Sequence, residues 1–165
     1  MIKVNSLINL LKRNKSDFFT GVPDSVLKDL STVLQKKNKQ QHIIASNEGA
    51  AVSIGIGHYL STNKIPTIYM QNSGLSNALN PLISIAHEKV YSIPLILIIG
   101  WRGSPRIKDE PQHNVKGKIT EQILKLLNIK YTILRSVSDI NKFDKQIKLA
   151  KKKKSIVACL IEPGT

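Results

Sequence analysis

Leu95-Ile96-Leu97-Ile98-Ile99 is an unbroken apolar run, and the polar segment Gly100-Trp101-Arg102-Gly103-Ser104-Pro105-Arg106-Ile107-Lys108-Asp109-Glu110-Pro111-Gln112-His113 follows it directly. A strand with one wet face alternates apolar and polar residues. A continuous run therefore marks a strand covered on both faces, the condition of a parallel sheet between helical layers. Working outward, further short strands are predicted at Asp17-Phe18-Phe19-Thr20, His42-Ile43-Ile44-Ala45, Thr67-Ile68-Tyr69-Met70, Tyr131 to Leu134 and Ile156 to Ile161. Helical patterns alternate with them. A first amphipathic helix carries Leu7, Ile8, Leu10 and Leu11, and a second follows the turn Gly21-Val22-Pro23-Asp24-Ser25 to about Gln35, capped by Asp24 or Ser25. Others run from Asn47 to Leu60, from Ser73-Gly74-Leu75 to about His87, from Ile119 to Leu127 and from Asp139 to Lys151, leaving Gly100 to Lys118 as a long loop. The expected fold is α/β: a three-layer α/β/α arrangement around a mainly parallel six-stranded sheet, in one domain over residues 1–165.

Composition agrees with a globular domain. Hydrophobic residues make up 41% of the 165 positions and charged residues 22%, which excludes intrinsic disorder despite a formal net charge of +14. The cations are 21 Lys and only 4 Arg, alongside 23 Ile, and aromatic residues amount to 5%. Base readers rely on Arg forks and aromatic stacking, so the charge reads as a solvated surface rather than a nucleic-acid interface. The single Cys159 excludes an internal disulfide and a cysteine-based zinc cage, and it suits a reducing, cytoplasmic setting. The longest apolar run, Ile93 to Ile99, is strand-sized and holds Pro94, so no membrane span is expected. Met1-Ile2-Lys3-Val4-Asn5 lacks the apolar core of a secretory signal.

In open parallel sheets ligands bind beyond the carboxyl ends of the strands. That rule directs attention to Gly21 to Ser25, Ser46 to Glu48, Gln71 to Asn77 and Gly100 to His113. The chain has no Gly-rich dinucleotide fingerprint, no phosphate loop ending in Gly-Lys-Ser or Gly-Lys-Thr, no nucleophile elbow and no His pair at helical spacing, and no metal site is expected. Glu48 opens a helix through Gly49-Ala50-Ala51, whose small side chains admit another group. It is either a carboxylate that shares a proton with a ligand or a member of a helix cap with Ser46. The loop cations and His113 suit a small dianion; the alternative is a solvated loop over a packed Trp101.

Four segments, Thr20-Gly21-Val22-Pro23-Asp24-Ser25, Asn47-Glu48-Gly49-Ala50-Ala51, Gln71-Asn72-Ser73-Gly74-Leu75-Ser76-Asn77 and Gly100 to His113, resemble in this order the phosphonopyruvate decarboxylases. The resemblance covers that family's N-terminal pyrimidine-binding domain. Trp101-Arg102-Gly103 and Asp109-Glu110-Pro111-Gln112-His113 are its most specific pieces, and Ser76 departs from an expected glycine.

The resemblance implies a thiamine diphosphate-dependent decarboxylation of phosphonopyruvate to phosphonoacetaldehyde and carbon dioxide. The glutamate matching Glu48 hydrogen-bonds the cofactor's aminopyrimidine ring and promotes loss of the thiazolium C2 proton. Gly21, Val22, Pro23, Asn72, Ser73 and Gly74 would join Glu48 in binding cofactor. Asp24 and His113 would relay protons, and Ser25, Asn77, Arg102 and Gln112 would contact substrate, Arg102 through the phosphonate. For Asp24 a helix cap, for Asn77 a helix-start position and for Arg102 a surface cation are the structural alternatives. The diphosphate and its Mg2+ are held in that family by a second domain with a Gly-Asp-Gly segment, which these residues do not contain. A diphosphate-binding domain or subunit is therefore the expected partner, in a homo- or hetero-oligomer, with no nucleic acid or membrane involved. Sulfopyruvate decarboxylase, whose alpha subunit is a lone pyrimidine domain, is the alternative resemblance. A nucleic-acid-binding domain and a catalytically empty assembly module of the same fold complete the alternatives.

Overall fold

The computed structural model describes residues 3–164. Met1, Ile2 and Thr165 lie outside the described residues, and with them the first two positions of the stretch read for a secretory signal. Among the described residues six α-helices and six strands alternate: α1 Val4–Arg13, β1 Phe19–Gly21, α2 Lys28–Leu34, β2 His42–Ile44, α3 Glu48–Thr62, β3 Thr67–Gln71, α4 Leu75–Pro81, β4 Ile96–Gly100, α5 Pro111–Leu126, β5 Lys130–Ile133, α6 Val137–Lys153 and β6 Val157–Ile161. The strands form one sheet in the order β2-β1-β3-β4-β6-β5, and every pairing is parallel.

The unbroken apolar run becomes β4, paired on one side with β3 and on the other with β6, with all five residues buried. Its side chains alternate between the layers. Ile96 and Ile98 pack with Phe19, Tyr69, Val157 and Cys159 against buried residues of α1, α2 and α6, such as Leu10, Leu34 and Phe143. Leu97 and Ile99 pack with Ile68, Met70, Ala158 and Leu160 against α3, α4 and α5, which contribute Val52, Leu75, Ala78 and Leu124. Each such buried aliphatic side chain contributes roughly 1.5–3 kcal/mol of hydrophobic stabilisation. Burial pushes the Cys159 thiol well above its ordinary range, so this residue is a core methyl-sized group rather than a nucleophile. Among the described residues no helix is long and apolar enough to cross a membrane.

Several boundaries differ from expectation for local reasons. Helix α2 starts at Lys28 with Leu27 at its N-cap and no side-chain cap, so neither Asp24 nor Ser25 caps it. Helix α3 is capped by Asn47, whose Oδ1 accepts from the Ala50 N–H at 2.8 Å; Ser46 does not cap it with Glu48. The segment predicted as one helix to His87 is α4 followed by a wide π-helical stretch over Leu82–Ala86. Pro81 is the cause within reach: it has no N–H to offer the carbonyl of Asn77 four residues earlier. Helix α5 starts at Pro111 rather than Ile119, because proline suits the first helical position. Gln112 and His113 consequently sit on a helix and not in a loop.

Candidate active site

Strands β1 and β3 are neighbours whose connections leave in opposite directions, β1 to the edge strand β2 and β3 to β4. In open parallel sheets a crevice forms where such connections part, at the carboxyl edge of the sheet. Gln71, the last residue of β3, spans this crevice. Its Nε2 donates to Asp24 Oδ1 at 2.7 Å, and its Oε1 accepts from Ser73 Oγ at 2.8 Å, which fixes the amide in one orientation. Asp24 Oδ2 is buried beside Gly100 and Val26, and among the described residues it has no hydrogen-bond partner. A buried carboxylate oxygen without a donor is costly, and a donor from a bound molecule would relieve that cost. Beneath the crevice Gly21 packs against Tyr69, and the Val22 N–H donates to the Tyr69 carbonyl at 3.1 Å.

Glu48 stands half-buried at the first position of α3. Asn77 Nδ2 donates to its Oε2 at 3.0 Å from α4. The rest of the carboxyl lies over Gly74: a Cβ there would overlap Cγ, Cδ and Oε1 of Glu48. Only glycine leaves that volume to the carboxyl group. The arrangement keeps Oε2 engaged with an amide and holds the carboxyl at a helix start, where the macrodipole favours negative charge.

The segment after β4 is folded on itself. Arg102 donates through Nε and Nη2 to the two oxygens of Asp109 at 2.7 and 2.6 Å, and the Gly103 N–H adds a third bond to Asp109 Oδ2 at 2.9 Å. The guanidinium holds the Asp109 carboxyl well below the usual carboxylate range and is itself raised by the pairing. Asn72, 5% exposed, fastens this segment: its Oδ1 accepts from the Arg102 N–H at 3.1 Å, while Nδ2 donates to the Arg102 carbonyl at 3.0 Å and to Thr120 Oγ1 at 2.9 Å. Trp101 is buried and donates from Nε1 to the Gly117 carbonyl at 3.1 Å. At the far end Ser104 Oγ donates to Glu162 Oε1 at 2.8 Å, and Arg135 forks onto the same carboxylate. A cavity of about 320 Å³ lies between this segment and the loop after β1, with Ser25, Arg102 and Lys108 in its wall.

The structure thus brings Glu48, Gly74 and Asn77 together, and links Asp24 to Ser73 through Gln71. Ser25 and Arg102 share the cavity. Pro23 is exposed at the rim. Asn72 is engaged with Arg102 and Thr120, and Arg102 has its fork on Asp109. Gln112 is exposed on α5, and half-buried His113 lies where its backbone carbonyl faces Gly103. Sequence reasoning missed Gln71, Asp109 and Thr120 as organisers. The Arg102 to Asp109 spacing carried the only available signal, a carboxylate seven residues beyond an arginine within one turn-rich segment.

A family model described as thiamine pyrophosphate enzyme, N-terminal TPP binding domain, matches residues 3–124. A phosphonopyruvate decarboxylase of Streptomyces viridochromogenes is 34% identical over 119 residues, 72% of this chain and 29% of that protein. The sulfopyruvate decarboxylase subunit alpha of Methanococcus maripaludis is 36% identical over 115 residues, 70% of this chain and 66% of that subunit. The corresponding subunit of Methanocaldococcus jannaschii is 34% identical over 125 residues, 75% of this chain and 71% of that subunit. The chain spans less than a third of the phosphonopyruvate decarboxylase it matches. An X-ray structure of a thiamin diphosphate-dependent enzyme from Mycobacterium smegmatis superposes with a TM-score of 0.68 over 98% of this chain and 31% of that chain, at 16% identity, a likeness of fold.

Proposed function

The chain belongs to the thiamine pyrophosphate enzymes through their N-terminal TPP binding domain, and from that membership we propose that it forms the pyrimidine-side half of a 2-oxo acid decarboxylase acting on phosphonopyruvate. The observation that carries this reading is Glu48 at a helix start, held by Asn77 and backed by a glycine whose side any Cβ would block. The residues fit the cofactor: the Gly74 cradle keeps a carboxyl presentable, and Asp24 Oδ2 lacks a donor. Bound thiamine diphosphate supplies an electron sink for the pair left behind when carbon dioxide departs.

The chain's own residues do the following. Glu48 takes and returns a proton at Oε1, the oxygen that Asn77 leaves free. Gly21, Val22, Pro23, Ser73 and Gly74 would hold the cofactor ring. Asp24 holds or releases a proton at Oδ2 on the substrate side, with Gln71 keeping Oδ1 fixed. His113 is the second proton carrier, Ser25, Arg102 and Gln112 face the substrate, and Asn77 acts on Glu48. The diphosphate and its Mg2+ belong to a partner domain or subunit, so catalysis requires an oligomer; the buried, reduced Cys159 suits the cytoplasm.

One observation favours sulfopyruvate as a second substrate reading. Arg102 already has its charge balanced by Asp109, so the segment offers less surplus positive charge than a dianionic phosphonate demands. Combining the chain with a diphosphate-domain partner, thiamine diphosphate and Mg2+ tests both. Carbon dioxide release from phosphonopyruvate is expected, and release from sulfopyruvate alone supports the second reading. An assembled complex inactive on both overturns the proposal.

A further inference from the structure

The cavity beside the crevice has a wall of unequal cations. Asp109 takes two of the five N–H donors of Arg102, those of Nε and Nη2, and leaves three. The Arg102–Asp109 pair is electrically neutral as a unit. Because Asp109 is held well below the usual carboxylate range, the pair stays ionised through neutral and mildly acidic pH. Lys108 is different: it lies exposed in the same wall, and among the described residues it forms no salt bridge. Ser25, in the loop after β1, lines the same cavity, together with Val26, Ile107, Pro163 and Gly164. The cavity adjoins the crevice, since Ser25 follows Asp24 in the chain and the charge of Asp24 acts on Arg102.

One uncompensated cation, three free guanidinium N–H groups on an immobilised arginine and a hydroxyl form a donor set for a tetrahedral oxyanion. Arg102 is pre-organised, because Asn72 grips its backbone on both sides and Asp109 grips its side chain, so little ordering cost remains on binding. We propose that this cavity is the acid-group subsite: it takes the carbon-linked sulfonate or phosphonate of the substrate, with Lys108 supplying the charge and Ser25 and Arg102 the hydrogen bonds. The assignment of that anion to a substrate rests on the decarboxylase reading above; the subsite itself rests on the cavity.

The test is a titration of the isotope-labelled full chain with methanesulfonate and, separately, methylphosphonate, at constant ionic strength, followed by NMR. Saturable shifts centred on residues 25–26 and 102–109 are expected. Lys108→Met weakens them about ten-fold or more, the range for a hydrogen bond to a charged group. Lys64→Met, beyond the end of α3, leaves the midpoint unchanged. Saturation by methanesulfonate alone assigns a sulfonate subsite, and saturation by both assigns one shared by the two acids. Shifts that never saturate, or that saturate equally well in Lys108→Met with its fold intact, overturn the proposal. In an active complex Lys108→Met raises KM with little change in kcat, as loss of uniform binding requires; an unchanged KM also overturns the subsite. A chain that binds both anions through Lys108 while its complex decarboxylates neither 2-oxo acid sinks the decarboxylase reading and leaves the subsite standing.

Discussion

Gln71 Nε2 donates to Asp24 Oδ1 at 2.7 Å, joining the end of β3 to the loop after β1 across the point where the two connections diverge. Among the described residues this bond alone holds the Asp24 carboxylate, whose other oxygen is buried without a partner. Replacing Gln71 by Leu strips the remaining donor and is expected to cost about 1–3 kcal/mol. Gln71→Glu sets two carboxylates side by side, so its loss of stability grows as pH rises through the carboxylate range and is constant above it. Urea denaturation at acidic and alkaline pH reads both effects, and a Leu variant as stable as the parent contradicts the bond.

Glu48 and Gly74 make a paired prediction. Glu48→Gln keeps the shape and removes the titrating oxygen, and it is expected to lower carbon dioxide release by the reconstituted complex by about 10²–10⁴-fold, the usual contribution of a positioned acid or base. Gly74→Ala pushes a methyl group into the space of the same carboxyl and is expected to lower the rate comparably while Glu48 remains in the chain. Steady-state rates with circular dichroism as a control for folding check this. Full activity in either variant would remove Glu48 from the mechanism.

Asn72 is predicted to be a structural residue first. Asn72→Ala leaves the Arg102 N–H, the Arg102 carbonyl and Thr120 without their buried partner. The cost is about 3 kcal/mol, since losses within one network do not simply add. Chemical denaturation measures it. The variant also loosens the segment after β4, so the backbone amides of residues 102–109 should exchange hydrogen faster than in the parent.

Two histidines set a pH response of stability. His42 lies buried with its Nε2 2.8 Å from the Tyr69 hydroxyl, and burial lowers its pKa below the ordinary 6.5. His58 stacks on Phe18 with ring centroids 4.1 Å apart, and burial lowers its pKa from 6.5 too. Burial also raises the Tyr69 hydroxyl to about 12, so it stays protonated at neutral pH and able to donate to His42. A group whose folded pKa is depressed binds its proton more readily when unfolded. Stability is therefore full above pH 6.5 and declines as pH falls below it. Thermal unfolding from pH 8 to pH 5 should show this decline, with a shallower slope in His42→Gln; a flat profile contradicts it.

How legible each feature was follows from how local its cause is. The strand at Leu95 to Ile99 was readable because double-sided burial writes itself as an unbroken apolar run. Glu48 is legible because it opens a helix of small residues after a strand, whereas Ser46 and Asn47 are both cap-forming residue types and their order alone does not tell which one caps α3. The start of α5 is less legible, because its polar, charged first turns lack the apolar periodicity that marks a helix from Ile119 onward. The Arg102–Asp109 pair is not legible in the sequence, since an arginine in a polar loop carries no mark of the carboxylate that engages it.

By itself the sequence determined the alternation of strands and helices, the parallel sheet, the absence of any local phosphate-binding motif and the loops where chemistry gathers, because periodicity, burial and turn chemistry act over a few residues. The tertiary structure alone decided which polar groups meet: Gln71 with Asp24, Asn77 with Glu48, Asn72 with Arg102 and Thr120. Those partners lie 47, 29, 30 and 48 residues apart. Hydrogen bonds are short and directional, so their pairing exists only once the sheet has brought the loops to one edge.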